Sequence, residues 1–118
     1  MLVVEDHEES AEGLVELLGL WGYEGHSAPN AEQALELLAS WTPEVVIADI
    51  GLPGMNGYEF ARRLRKLPEH ASTLLIALTG YGDHTDDFTS SGFDHRLIKP
   101  LDLTSLEQLL AARSVATR

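Results

Sequence analysis

The stretch Val45-Val46-Ile47-Ala48-Asp49 decides how this chain is expected to fold. Its apolar residues form a short uninterrupted run, which is typical of a strand buried on both faces of a parallel sheet. The run ends abruptly in Asp49, so a carboxylate is expected at the carboxyl end of this strand. Because ligands bind at the carboxyl ends of parallel strands, the same stretch predicts a fold class and the place of a functional site.

Similar apolar runs recur along the chain, and further strands are predicted from them. They are Leu2-Val3-Val4, a weaker one near Glu24 to Ala28, Leu74-Leu75-Ile76-Ala77-Leu78, and Leu97-Ile98. All except the weaker one are expected to be buried on both faces. Each run is short and uninterrupted, as parallel strands in a covered sheet are.

Between the strands lie segments in which apolar residues repeat every three or four positions, the spacing of a helix with one buried face. These segments are Leu14 to Trp21, Ala34 to Trp41, Phe60 to Leu67 and Leu103 to Leu110. A further helix is predicted from Asp83 to Ser91 because of its position in the alternation. The residues expected to cap helices are Asn30, Asn56 and Asp102. Gly54 and Gly57 are interpreted as turn residues with positive φ.

Five strands alternating with five helices predict an α/β fold, in which a doubly wound parallel sheet carries helices on both faces. The five-stranded, flavodoxin-like order 2-1-3-4-5 fits this count. A chain of 118 residues is long enough for one core and too short for two ordinary domains. We therefore predict one domain that spans residues 1–118.

Charge and composition narrow the class of protein. The chain has 8 lysines and arginines against 19 aspartates and glutamates, a formal net charge of −11. Nucleic acid and anionic membrane surfaces are therefore expected to be poor partners. The chain has no cysteine, which excludes thiol nucleophiles and cysteine-based zinc sites. No apolar stretch approaches the roughly 18 residues of a membrane span, and a cytoplasmic location is expected.

Polar side chains stand at the ends of four predicted strands, and they are Glu5-Asp6, Asp49, Thr79 and Lys99. In the predicted strand order these side chains converge at one edge of the sheet. Three carboxylates close together repel each other, so a hard cation is expected among them, and Mg²⁺ is the natural candidate. A lysine and a hydroxyl beside Asp49 supply the donors and the charge neutralisation that phosphoryl transfer requires.

These residues lie in blocks that resemble the receiver domain of response regulators in two-component signalling. The blocks are Leu2 to Asp6, Asp49 to Gly57, Ala77 to Gly80 and Leu97 to Pro100. The resemblance implies a signalling module that accepts a phosphoryl group from a phosphohistidine donor and switches partner interactions. Slow self-catalysed phosphotransfer and dephosphorylation accompany that role. The implied donor is a histidine kinase or a histidine phosphotransfer protein, and the domain is expected to be a monomer or a weak dimer.

The resemblance also implies a role for each residue of the site. Asp49 is the implied phosphoacceptor, and Thr79 and Lys99 would bind the phosphoryl oxygens. The implied ligands of Mg²⁺, direct or through water, are Glu5, Asp6, Asp49 and the carbonyl of Gly51. The peptide bond between Lys99 and Pro100 is expected to be cis.

One position departs from the pattern of receivers that have output domains. Arg96 stands where such receivers tend to carry an aromatic residue that turns inward on activation. The run Gly92 to Pro100 is more similar to receivers attached to hybrid sensor kinases. Because Arg96 replaces the aromatic residue that would turn inward, we expect the response to phosphorylation to stay mostly within Gly80 to Ser91. We also expect this chain to be cut from a larger protein, because its first strand begins directly at Met1.

Two alternatives remain at the level of sequence. A phosphatase of the haloacid dehalogenase kind also has a nucleophilic aspartate after a parallel strand, but its second aspartate would stand where this chain has Gly51. A receiver that serves only for docking usually lacks a residue of the site. Here all of them are present apart from the aromatic residue replaced by Arg96.

Overall fold

The computed structural model describes residues 1–80 and 91–116, with side chains as far as residue 112. Its strands are β1 (Leu2–Val4), β2 (His26–Ala28), β3 (Val45–Asp49), β4 (Leu74–Thr79) and β5 (His95–Ile98). Its helices are α1 (Glu8–Leu20), α2 (Ala31–Leu38), α3 (Gly57–Arg65) and α4 (Leu103–Ala116), and Pro68–His70 form a 3-10 turn. The helix predicted from Asp83 to Ser91, and the response predicted for Gly80 to Ser91, fall almost entirely outside the described residues.

The strands form one parallel sheet in the predicted order, β2-β1-β3-β4-β5. β3 is central and is buried along its whole length. Its Ile47 lies between Val3 of β1 and Ile76 of β4, and Asp49 lies beside Leu78 of β4. The carboxyl ends of these three strands therefore meet at one edge of the sheet.

Apolar side chains on the two faces of the sheet form two cores. Successive strand residues point to opposite faces, and accordingly Val46 packs in the core with Phe60 of α3, whereas Ile47 packs in the core with Leu18 of α1 and Leu106 of α4. Phe60 and Leu106 are fully buried, and burial of a side chain of this size stabilises the fold by about 1.5–3 kcal/mol. Helices thus cover both faces, as predicted.

β5 differs from its prediction. The sequence predicts a strand buried on both faces at Leu97-Ile98, but Ile98 is 46% exposed and His95 and Arg96 are exposed as well. β5 pairs with β4 alone and forms the edge of the described sheet. A pair of apolar residues is too short to distinguish an edge strand from a central one.

Side-chain caps fix where the helices begin. The predicted caps Asn30, Asn56 and Asp102 each accept a backbone N–H from the first turn of their helix. α1 begins after His7, whose Nδ1 accepts the N–H of Ser10 at 3.3 Å. Histidine is not among the preferred capping residues, so the sequence does not predict this cap.

Two glycines shape the loop between β3 and α3. Gly54 has a φ of 72°, which confirms the prediction of a turn that favours glycine. The same prediction is wrong for Gly57, which does not have positive φ. A Cβ atom at Gly57 would lie 2.7 Å from the carbonyl oxygen of Asp49 and 2.8 Å from Cα of Ile50. Gly57 is therefore required because the start of α3 packs directly against the end of β3.

Arg65, the last residue of α3, connects segments at the amino-terminal edge of the sheet. Its guanidinium donates to the carbonyl oxygens of Gly92 at 2.9 Å and Thr73 at 2.8 Å, and to Asp94 Oδ2 at 2.8 Å. Asp94 Oδ2 also accepts the N–H of Leu75 at 2.9 Å. These bonds hold the end of α3 to the residues that enter β4 and β5.

Candidate functional site

Three carboxylates meet at the carboxyl edge of the sheet, where the sequence predicts a site. Glu5 directly follows β1, Asp49 is the last residue of β3, and Asp6 lies beside them on the surface. Glu5 is 7% exposed and Asp49 is 8% exposed. One oxygen from each of the three carboxylates lies within 4.8 Å of the others. This spacing is close enough for one cation to contact all three.

Lys99 places a positive charge beside two of the three carboxylates. It directly follows β5, and its Nζ donates to Asp49 Oδ2 at 2.5 Å and lies 3.8 Å from Glu5 Oε2. Its backbone N–H donates to the carbonyl of Thr79 at 2.8 Å, which ties the ends of β4 and β5 together. The Lys99–Pro100 peptide bond is cis, as the resemblance implies.

Gly51 and Thr79 complete the surroundings of Asp49. The N–H of Gly51 donates to Asp49 Oδ1 at 3.0 Å, so each oxygen of this carboxylate has its own donor. Thr79 is the last residue of β4 and is 1% exposed. The predicted roles of the Gly51 carbonyl and the Thr79 hydroxyl concern other atoms than those in these bonds, and they stay predictions.

Opposing effects set the charge states of Asp49 and Lys99. Burial by itself would raise the pKa of Asp49, but hydrogen bonds from Glu5, Lys99 and the Gly51 N–H outweigh it and lower that pKa. Burial would lower the pKa of Lys99, yet the bond to Asp49 and the charges of Asp49 and Glu5 raise it. Asp49 is therefore an anion and Lys99 a cation at neutral pH.

The pKa of Glu5 shifts in the opposite direction to that of Asp49. Burial, a hydrogen bond to Asp49 and the negative charge of Asp49 raise the pKa of Glu5 to about 7. Its Oε2 is buried and has no hydrogen-bond partner among the described residues. A buried carboxyl group is costly to ionise when one of its oxygens accepts no hydrogen bond. Its ionised form becomes favourable when a cation supplies the missing partner. The residues present therefore fit a hard metal ion.

Sequence reasoning missed one residue that shapes the site. Gly57 lets α3 approach the backbone of Asp49, although the sequence suggested only a turn residue at this position. The sequence does contain a sign of this close approach. Gly57 directly follows the cap Asn56, at a position where a better helix-forming residue would be expected.

Comparison with known proteins agrees with this geometry. The family model described as response regulator receiver domain matches residues 1–111. The chain is 30% identical over its full length to part of the sensor histidine kinase RcsC of Salmonella typhi, and it spans 12% of that protein. The signal receiver domain of a signal transduction histidine kinase from Syntrophus aciditrophicus has a TM-score of 0.91 at 28% identity, over 99% of this chain and 90% of that one.

A second solved structure bears on the acidic cluster. The response regulator protein TrrA of Thermotoga maritima, solved in complex with Mg²⁺-BeF, has a TM-score of 0.84 at 33% identity, over 95% of this chain and 96% of that one.

The chain described here belongs to the response regulator receiver family and is a signalling module of two-component systems. Receivers of sensor kinases are among its relatives, which confirms that part of the resemblance. None of the helices in the described residues is long and apolar enough to cross a membrane.

Proposed function

We propose that residues 1–118 act as one receiver domain that takes a phosphoryl group onto Asp49 from a phosphohistidine of a histidine kinase or phosphotransfer protein. The single observation that carries the proposal is the position of the Asp49 carboxylate between an acidic pair and an ammonium group. Lys99 Nζ lies 2.5 Å from Asp49 Oδ2, and Glu5 and Asp6 supply carboxylate oxygens within 4.8 Å of an Asp49 oxygen. No purely structural role requires both on one carboxylate.

The chemistry follows from the charge states. An oxygen of ionised Asp49 forms a bond to phosphorus while the bond between phosphorus and the donor's imidazole nitrogen breaks. The electron pair of that bond stays on the imidazole nitrogen, and the ring, which carries a proton on its other nitrogen before the transfer, leaves as neutral imidazole. Lys99 and the hydroxyl of Thr79 donate to the equatorial oxygens of the moving phosphoryl group and stabilise its charge.

The proposed cofactor is Mg²⁺. Glu5, Asp6, Asp49 and the carbonyl of Gly51 would hold it, directly or through water. When bound, Mg²⁺ neutralises negative charge on the phosphoryl oxygens and on the carboxylates around it. The orphaned Oε2 of Glu5 and the raised pKa of this residue support the assignment from this chain's own structure.

The phosphorylated domain would then signal by its charge. A phosphoryl group adds about −1.5 to −2 charges at the carboxyl edge of the sheet. Lys99 must exchange its bond with Asp49 for bonds with the phosphoryl oxygens, so the ends of β4 and β5 are the first places to change. Slow self-catalysed hydrolysis of the aspartyl phosphate would return the domain to its starting state.

Mass spectrometry tests the proposal directly. We expect incubation with a small phosphodonor and Mg²⁺ to add one phosphoryl group to the parent and to Glu36→Gln, which removes an exposed carboxyl on α2 outside the site. Asp49→Asn should abolish the mass increase. Equal labelling of Asp49→Asn and the parent would overturn the assignment, and absence of labelling in the parent would favour a receiver used only for docking.

A further inference from the structure

A partly aromatic patch is exposed at the amino-terminal edge of the sheet, at the opposite end of the strands from Asp49. It consists of Leu37 in the last turn of α2, Trp41 in the loop that enters β3, and His26, the first residue of β2. Leu37 is 42% exposed, Trp41 is partly exposed, and His26 is exposed. We call these three residues the α2–β2 patch.

The α2–β2 patch has a fixed shape. Trp41 packs against the core that contains Phe60, and its ring meets the His26 ring edge-on with centroids 5.2 Å apart. The N–H of Ser40 donates to the carbonyl oxygen of Leu37 at 3.3 Å, so a helical turn connects Leu37 to Trp41. Because these side chains are already ordered, the patch loses little conformational entropy on binding. Tryptophan is also among the residue types that contribute most to binding at interfaces.

The surface around the patch is negatively charged. Residues 1–61 contain 12 aspartates and glutamates but no lysine or arginine. Three exposed glutamates stand beside the patch, and they are Glu24, Glu36 and Glu44. Glu24 Oε1 lies 3.3 Å from His26 Nε2, whereas Glu36 and Glu44 form no ion pair within the described part of the chain. The patch therefore combines an apolar centre with carboxylates that a cationic partner can neutralise.

We propose that the α2–β2 patch binds a segment of a partner protein in which apolar side chains alternate with lysine or arginine. An apolar side chain of the segment packs against Leu37 and Trp41, and its cationic groups pair with the three glutamates around them. Charge complementarity selects this occupant, because the same carboxylates repel an acidic segment. The formal net charge of −11 disfavours a second copy of this chain for the same reason.

The patch is separate from the proposed phosphorylation site. Trp41 precedes β3, whereas Asp49 ends it, and a strand of five residues spans about 13 Å. A bound segment therefore leaves Asp49 open to a phosphodonor. The partner can hold the domain in place while phosphoryl transfer proceeds, and only this consequence rests on the proposed function.

Calorimetric titration with a capped five-residue peptide of alternating leucine and arginine tests the apolar part of the proposal. We expect the parent to bind it at low salt with a Kd of about 1 mM or tighter. Leu37→Gln keeps the size and helix propensity of the residue but removes the apolar contact, so it should bind about fivefold more weakly. Leu103→Gln is the matched control, because Leu103 is 47% exposed at the carboxyl ends of the strands. It should bind like the parent.

A second pair of variants tests the charge. The double variant Glu24→Gln and Glu44→Gln should bind the arginine peptide about fivefold more weakly, since each exposed ion pair contributes little. Glu16→Gln with Glu107→Gln is the control, because it changes the net charge equally at exposed positions on α1 and α4, which cover the other face of the sheet. A peptide with glutamate in place of arginine should bind the parent at least about tenfold more weakly.

Four outcomes would overturn the proposal. The parent could fail to bind the arginine peptide, or Leu37→Gln and Leu103→Gln could bind it equally well. Equal affinities for the arginine and glutamate peptides would remove the selection by charge. Self-association of the parent in sedimentation, abolished by Leu37→Gln, would mean that a second copy occupies the patch.

Labelling by a small phosphodonor separates this proposal from the proposed function. The parent should label at the same rate with and without saturating arginine peptide, and a slower rate with the peptide would overturn the independence of the two sites. If the parent does not label at all, the proposed function fails while the peptide titrations still decide the α2–β2 patch.

Discussion

A cationic side chain pairs with an aspartate at each end of the strands, which we call the amino edge and the carboxyl edge of the sheet. The two pairs are built differently. At the amino edge, Arg65 donates to Asp94 and to surrounding backbone carbonyls, and Asp94 also accepts a backbone N–H. At the carboxyl edge, Lys99 donates to Asp49, while the neighbouring Glu5 has a buried oxygen without a hydrogen-bond partner among the described residues.

This contrast separates an ion pair that joins backbone segments from one that is proposed to take part in phosphoryl transfer. The Arg65 network uses the fixed fork of a guanidinium to join backbone segments, so any exchange of partners would break several bonds. Lys99 has a flexible stem and a single strong bond, and one carboxylate beside it is incompletely satisfied. The exchange of partners that the proposed function requires at the carboxyl edge would therefore break fewer bonds than an exchange at Arg65.

The largest expected effect is at the amino edge. Arg65→Ala removes the charged donor of Asp94, which keeps only the Leu75 N–H, and the donor of several backbone carbonyls. We therefore expect the free energy of unfolding to fall by about 3 kcal/mol in urea denaturation. Arg63→Ala is the matched control on the same helix, since Arg63 is exposed and its ion pair with partly exposed Glu59 is screened by solvent, so its loss should be much smaller. Equal losses in the two variants would contradict a structural network at Arg65.

The second effect is a dependence on pH at the carboxyl edge. The folded protein raises the pKa of Glu5 from 4.5 to about 7, so between these values the folded state holds a proton that the unfolded state releases. Without metal, the free energy of unfolding should fall by about 2 kcal/mol as pH rises through this window. The lowered pKa of Asp49 acts below the window and the raised pKa of Lys99 above it.

Unfolding curves at several pH values, with and without Mg²⁺, would measure this decline. Saturating Mg²⁺ should remove it, because the metal favours the ionised form of Glu5 in the folded state. A free energy of unfolding that stays constant over the window in the metal-free protein would show that Glu5 is not strained by burial.

A third and smaller effect follows from the same strain. Glu5→Gln removes the ionisable group but keeps its size, so we expect the metal-free protein at pH 8 to become more stable by about 1 kcal/mol. The affinity for Mg²⁺ should fall by about tenfold, as measured by calorimetry. Glu36→Gln, on the exposed face of α2, should change neither quantity. Lower stability and unchanged Mg²⁺ affinity in Glu5→Gln would reverse the comparison between the two edges.

The smallest effect concerns Tyr58 in the first turn of α3. Tyr58 is 5% exposed, and its hydroxyl has no hydrogen-bond partner among the described residues. Tyr58→Phe keeps the edge-on contact with Phe93 and should leave stability unchanged or raise it by up to about 1 kcal/mol. A loss greater than about 1 kcal/mol would reveal a bond to the hydroxyl, and Tyr23→Phe at a partly exposed position is the control.

Much of the fold could be predicted because it depends on local patterns. Uninterrupted apolar runs such as Val45 to Ala48 indicate buried strands, and the alternation with helices fixes the strand order through the handedness of crossovers. The prediction was wrong at β5, since burial depends on what covers a strand and not on its own residues. The Arg65 network was missed because two of its partners, Gly92 and Asp94, lie 27 and 29 positions away in sequence. The local sequence gives one sign of this network: Arg65 follows buried Ala61 by four residues and so lies on the same face of α3.

The site was predictable to a different degree. Asp49 and Lys99 stand directly at strand ends, so the strand order alone predicts that they approach each other. The unequal charge states of Glu5 and Asp49 were not predictable, because carboxylates that both stand at strand ends acquire pKa values shifted in opposite directions through distances and burial. The bond from the Gly51 N–H to Asp49 depends likewise on the conformation of a loop.

The close approach at Gly57 has a consequence for how this protein would respond to random mutation. A Cβ at that position would collide with backbone atoms, which cannot move aside as a flexible side chain could. In a saturation screen scored by signalling output, Gly57 should therefore tolerate almost no replacement and resemble Asp49, the proposed phosphoacceptor. A parallel screen scored by protein abundance would separate the two. Substitutions at Gly57 should lower abundance, whereas many at Asp49 should silence the signal in a protein that still accumulates.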